Sequence, residues 1–147
     1  MRFAHTNIVS EDWKRLVDFY VNIFECKVIP PIRNQSGEFL EKGTGLKDAK
    51  LQCAHLLLPG YGEKGPTLEI YQYENILNQE KIPPNQRGYG HIAFEVVDVE
   101  EIVEMILING GEKCGEITKK EIEGAGTITF IYMRDPEGNL IEIQNWK

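Results

Sequence analysis

A histidine-led segment occurs twice in this chain at one spacing, and the repeat restricts the fold more than any other feature. Phe3-Ala4-His5-Thr6-Asn7-Ile8-Val9 and Gly90-His91-Ile92-Ala93-Phe94-Glu95-Val96 have the same build. Their histidines are 91 − 5 = 86 positions apart. The same shift carries Asp12 onto Asp98, and Trp13, Leu16, Val17 and Tyr20 onto Val99, Ile102, Val103 and Ile106. Those apolar positions run i, i+3, i+4, i+7, the stripe of an amphipathic helix. A second correspondence, offset by 142 − 69 = 73, lays Leu68-Glu69-Ile70 on Ile141-Glu142-Ile143 and Gly65 on Gly138. The offset shrinks because the first half carries a longer middle segment. Chance similarity of two βα segments accounts for the apolar stripe. It accounts less well for a histidine opening and a glutamate closing each half.

A chain of 147 residues suits one domain with a real core. We expect a single domain over 1–147, with module 1 at 1–74, a connector at 75–88 and module 2 at 89–147. Residues 2–9 read as a strand. Ser10 reads as the N-cap of a helix to about Phe24, with Glu11 and Asp12 in its first turn. Lys27-Val28-Ile29 starts a strand that Pro30-Pro31 should stop. Residues 32–50 are ambiguous, with turn signals at Asn34-Gln35-Ser36-Gly37 and Gly43-Thr44-Gly45. Strands follow at Leu51–Leu58 and Thr67–Tyr73. In the second half, Asp98 caps a helix with Glu101 at the third position, and Asn109-Gly110-Gly111 ends it. Strands are expected near Lys113–Ile117, at Thr127–Met133 beyond a hairpin around Gly124-Ala125-Gly126, and at Leu140–Trp146. Asp135-Pro136-Glu137-Gly138-Asn139 is the last turn. Each half therefore reads βαβββ.

No apolar run approaches the roughly 20 residues of a membrane span, and the N-terminus turns polar at once without a signal-peptide core. Cys26, Cys53 and Cys114 form no CxxC, so disulfides and a cysteine zinc site are not expected. Cytoplasm is the expected compartment. A net charge of −7 argues against nucleic acid, whose binding needs a basic face. It leaves room for a small-molecule substrate held by a local Arg or Lys.

Strand side chains alternate faces. Leu68, Ile70, Ile141 and Ile143 share the parity expected to pack on helices. Glu69 and Glu142 take the other, with Tyr71, Tyr73, Gln144 and Trp146. A carboxylate between two isoleucines is costly unless it faces water or a partner. If the halves pack with pseudo-twofold symmetry, His5, Glu69, His91 and Glu142 meet in one cleft and offer a mixed N/O site to a divalent transition metal. Singly, each of these residues is more often a surface group; the repeated register is what argues for a site. His55 reads as pocket wall or satisfied core, with substrate contact as the lesser alternative, and Cys53 as a small buried residue; Arg33 and Arg87 could bind a substrate carboxylate or phosphate, with surface arginines the default. Tyr71, Tyr73 and Trp146 either line the pocket or pack between halves.

His5-Thr6-Asn7 with Asp18-Phe19-Tyr20, Gly90-His91-Ile92-Ala93-Phe94, and Asp135-Pro136-Glu137-Gly138-Asn139-Leu140-Ile141-Glu142 together resemble the vicinal oxygen chelate superfamily (glyoxalase, bleomycin resistance protein and dioxygenase). The resemblance spans nearly the whole chain. It implies an α+β fold of two tandem βαβββ modules forming a curved mixed sheet. It implies His5, Glu69, His91 and Glu142 as metal ligands, the set most similar to glyoxalase I (lactoylglutathione lyase), with Ni, Zn, Co or Mn as the divalent ion. It also implies a homodimer. The implied chemistry is proton transfer beside a carbonyl through an enediolate, with Glu142 as base and Glu69 as ligand and second base. Alternatives carried by the same resemblance are a methylmalonyl-CoA epimerase-like isomerase, a non-catalytic bleomycin resistance-like binding protein, and an extradiol dioxygenase-like oxygenase. Epimerases usually carry Gln at the position of Glu69. The segment 32–66 does not match the glutathione-contacting region of glyoxalase I, and Glu25-Cys26 replaces a common glycine turn.

Overall fold

The computed structural model describes residues 1–77 and 81–147; residues 78–80, within the expected connector, lie outside the description. The chain divides into two compact units, Met1–Gln79 and Glu80–Lys147.

In the first unit the elements are β1 (His5–Val9), α1 (Trp13–Phe24), β2 (Lys27–Ser36), α2 (Glu38–Thr44), β3 (Lys50–Leu57) and β4 (Thr67–Tyr73). The sheet order is β1-β4-β3-β2. β1 runs parallel to β4, and β2-β3-β4 are antiparallel. The second unit holds β5 (Ile92–Glu95), α3 (Val99–Ile108), β6 (Glu112–Lys113), β7 (Thr118–Ile122), β8 (Gly126–Arg134) and β9 (Leu140–Trp146). Its order is β5-β9-β8-β6, with β7 also on β8. Both sheets are mixed, and each unit carries the expected strand–helix–strands plan.

The apolar parity drives this packing. Leu16, Phe19, Tyr20, Ile23 and Phe24 of α1 are buried with Leu56, Leu68 and Ile70, and Val99, Val103 and Ile106 of α3 with Ile131, Ile141 and Ile143. Helix and sheet thus hide their apolar faces on each other. Two polar bonds fasten the first such pair: Trp13 Nε1 donates to Gln52 Oε1 at 3.1 Å, and the Trp13 amide to Gln72 Oε1 at 3.3 Å.

The helix α1 begins later than expected. Asp12, not Ser10, is the N-cap, accepting from the Arg15 amide at 3.1 Å. The Ser10 amide instead donates to the Tyr71 carbonyl at 2.8 Å, carrying the β1–β4 ladder one residue further. β1 itself starts at His5. Asp98 caps α3 as expected, accepting from the Glu101 amide at 3.0 Å. The prolines do not end β2. The Pro30–Pro31 bond is cis, and the register shifts between Ile29 and Arg33, so the residues without amide protons sit in an unpaired bulge. After the bulge β2 resumes to Ser36. The stretch expected at 113–117 is a two-residue strand, β6, and pairing restarts at Thr118.

The thiols differ in access. Cys26 and Cys53 are buried, while Cys114 is partly exposed. Burial pushes the Cys26 thiol up to about 12, and burial also raises Cys53, against the Arg33 charge. Native protein at pH 8 should therefore expose one fast-reacting thiol, Cys114, to a disulfide reagent. Denatured protein should release all three. Two fast thiols in the native state would contradict this burial.

Candidate functional site

Glu69 and Glu142 are set by equivalent registers. On β4, Glu69 stands between Asn7 of β1 and His55 of β3. On β9, Glu142 stands between Ala93 of β5 and Tyr132 of β8. His5 precedes Asn7 by two residues, and His91 precedes Ala93 by two. Both histidines therefore reach the face of their sheet that carries the glutamate. In the first unit His5 Nδ1 lies 3.4 Å from Glu69 Oε1. In the second, His91 Nε2 lies 2.8 Å from Glu142 Oε2. The repeat seen in sequence thus becomes two imidazole–carboxylate pairs, one per unit.

The two pairs are held differently. Glu69 is only 5% exposed and has further donors. His55 Nδ1 lies 2.9 Å from Oε1, Tyr71 Oη donates to Oε2 at 2.7 Å, and Thr67 Oγ1 lies 3.5 Å from Oε1. Such a network fixes a carboxylate's position. Burial and this hydrogen bond to Glu69 raise the Tyr71 hydroxyl well above the ordinary tyrosine range. Burial lowers His55; Glu69 pulls it back up, while Arg33 and His5 push it further down. Among the described residues, Glu142 has no comparable ring of donors. Its side chain is 13% exposed against 7% for Glu69. The ring of Tyr132 lies 4.8 Å from that of His91, and Phe130 follows at 5.9 Å.

The turn ahead of β9 aims Glu142. Asp135 Oδ1 accepts from the Glu137 and Asn139 amides, both at 3.0 Å, and Asn139 Nδ2 bonds both carboxylate oxygens. Gly138 takes a φ of 87°, which favours glycine. Arg134 donates to the Gly138 carbonyl at 2.8 Å and to the Ile82 carbonyl at 2.9 Å. The Asp-Pro-Glu-Gly-Asn string is thus a rigid hairpin corner two residues ahead of the glutamate.

His55, expected as pocket wall or satisfied core, is a partner of Glu69. Only the β3–β4 register places it there, and no motif marks it. Tyr71, expected to line a pocket, is a hydrogen-bond donor to Glu69. Arg33, expected on the surface by default, has its Nη1 buried with no partner among the described residues, as has Nε2 of His55. Arg87 is exposed as expected. Tyr73 packs with Tyr71 on a cluster of Leu40, Ala49, Leu51 and Cys53.

Among the described residues, no group of three or more His, Cys, Asp or Glu stands arranged as a metal site. Each pair nevertheless offers one imidazole nitrogen and one carboxylate, donors that first-row divalent ions accept. The donor chemistry fits such an ion.

The comparisons agree with this architecture. The chain is 28% identical over 145 residues to a lactoylglutathione lyase of Escherichia coli O157:H7, covering 97% of this chain and 91% of the relative. It is 24% identical over 143 residues to a mitochondrial methylmalonyl-CoA epimerase of Dictyostelium discoideum, covering 97% and 77%. A glyoxalase family protein from Bacillus cereus shares the fold with a TM-score of 0.84, at 24% identity over 99% of this chain and 94% of that one. The model of one family matches residues 2–143, and the chain belongs to it: the Glyoxalase/Bleomycin resistance protein/Dioxygenase superfamily.

Proposed function

We propose that the protein is a divalent-metal-dependent lyase or isomerase of the glyoxalase I type, moving a proton on the carbon beside a carbonyl. The observation that carries this reading is the duplicated imidazole–carboxylate pair, His5 with Glu69 and His91 with Glu142. Each pair supplies two of the four donors that this reading assigns to the cation. A bound divalent ion would offset negative charge as it develops on the substrate oxygens.

The remaining work falls to side chains. Glu142, with fewer partners and more exposure, takes the proton from carbon and returns it. Glu69 stays where Tyr71, His55 and His5 hold it, and serves as ligand first. The tyrosines and apolar residues beside it keep water away from the reacting carbon. The lactoylglutathione lyase relatives support an aldehyde–thiol adduct as substrate.

The test is direct. Purified protein should hold close to one divalent ion per His-Glu-His-Glu set after dialysis. It should also exchange the carbon-bound proton of a methylglyoxal–thiol adduct in deuterated water. Protein that takes up no divalent ion when offered one, yet binds the adduct without exchange, would be a binding protein instead. Oxygen consumption with Fe²⁺ would make it an oxygenase.

A further inference from the structure

The glutamate-bearing face of the first sheet holds a second polar feature that metal binding and proton transfer do not use. Across that face the strands run β1, β4, β3, β2. Cys53 of β3 is opposite Tyr71 of β4, and Arg33 of β2 is opposite Cys53. Arg33 therefore shares the Glu69 face, two strands away, roughly 10 Å across the ladder between backbones. The Arg33 guanidinium is felt electrostatically at both Cys53 and His55, so its charge lies over this corner. Yet, among the described residues, Nη1 is buried and finds no acceptor to donate to, and His55 Nε2 is also buried without a partner. The neighbouring wall is apolar: Leu40, Leu51 and Cys53, with Tyr71 and Tyr73 packed on it.

A buried guanidinium N–H without an acceptor is costly, and an anion offsets that cost best because it meets the charge as well as the N–H. Low-polarity surroundings strengthen that attraction. The planar fork of arginine matches a carboxylate, and beside this apolar wall a singly charged carboxylate costs less to desolvate than a phosphate dianion.

We propose that Arg33 is a substrate-recognition residue that binds a carboxylate, so that the substrate carries an acid group a few bonds from its reacting carbonyl. His55 contributes the second contact. Its Nδ1 is taken by Glu69, and its Nε2 meets a polar atom of the same substrate. This deepens the proposed lyase or isomerase reading and rests on it for the position of the reacting carbon. It separates substrates by charge near the reacting centre, which a thiol carrier alone would not do.

The test follows the Arg33 side-chain Nε–H resonance in metal-loaded protein titrated with propionate, with propionamide as the neutral isostere and inorganic phosphate as a non-planar anion. Propionate should shift that resonance saturably, and propionamide should not. Arg33→Gln should weaken propionate binding about tenfold, the loss of one charge-assisted pair, and Arg33→Lys should weaken it less. If Arg33→Gln fails to fold, as judged by circular dichroism, the wild-type resonance and Arg33→Lys decide. Equal shifts by propionamide, unchanged affinity in Arg33→Gln, or tighter binding of phosphate would overturn the assignment. Cation content and proton exchange are read on the same samples. A bound, exchanging enzyme with no Arg33 dependence sinks this subsite alone. Arg33-dependent propionate binding without a bound cation sinks the metal reading and leaves the subsite standing.

Discussion

Glu142→Gln should slow exchange of the substrate's carbon-bound proton by roughly a hundred- to ten-thousand-fold, the range for a lost general base. Bound metal should survive, because the amide oxygen of Gln can still ligate while the amide cannot accept a proton. Glu69→Gln should cost much less. The reasoning is in the partners. Glu69 is gripped by His55 Nδ1 at 2.9 Å and Tyr71 Oη at 2.7 Å, besides His5. A carboxylate committed to those donors gains little by leaving them for a carbon-bound proton. Glu142 has one close imidazole at 2.8 Å and more exposure, so its carboxylate can reach. The two halves are equivalent in register and unequal in bonding, and the inequality assigns the roles. Exchange is measured by deuterium incorporation in metal-loaded variants, with metal content read beside it. Wild-type exchange in Glu142→Gln would remove it as base, and a larger loss in Glu69→Gln would reverse the assignment.

What the sequence showed about the fold follows from what local chemistry can show. The strands Thr67–Tyr73 and Leu140–Trp146 and the helix behind Asp98 sit where alternation and capping put them. Their signals are local, and nothing remote competes with them. Ser10 misleads because a long-range partner claims it: its amide bonds to Tyr71, so the chain stays extended until Asp12. Pro30-Pro31 misleads because a bulge lets a strand pass over residues that cannot donate. Gly43-Thr44-Gly45 reads as a turn, but Gly43 and Thr44 close a short helix, α2, and Gly45 caps it in the left-handed conformation. At the candidate site, the repeat singles out His5, Glu69, His91 and Glu142, which the structure sets as two imidazole–carboxylate pairs, because duplication writes the same letters twice. His55 and Arg33 occur in one half only. Their proximity to Glu69 comes from strand pairing across 14 and 36 positions (69 − 55 and 69 − 33), which no periodicity encodes.

Ile70→Ala should cost about 2–5 kcal/mol of folding stability, the range for truncating a fully buried aliphatic side chain. That is a large share of the roughly 5–15 kcal/mol that holds a typical domain. Ile70 is 0% exposed. It lies opposite Ile8 and Ala54 on the neighbouring strands, on the face that packs against α1. It also separates Glu69 from Tyr71, so the same strand that buries Ile70 turns those two toward the other face. The cavity left by alanine would be bounded by α1 and two strands, which cannot close around it without disturbing the β1–β4 ladder. Urea denaturation of wild type, Ile70→Ala and Ile108→Ala provides the measurement. Ile108 ends α3 and is 84% exposed, so its truncation should stay within about 0.5 kcal/mol. Ile70→Ala should lower the midpoint with little change in slope, since as much surface is still exposed on unfolding. At a urea-free temperature where the variant stays folded, its metal content should match wild type, because the deleted methyl groups lie on the side of the strand away from Glu69. Equal costs for the two isoleucines would mean that the apolar parity of β4 does not hold this sheet to its helix. The placement of Glu69 would then need another cause.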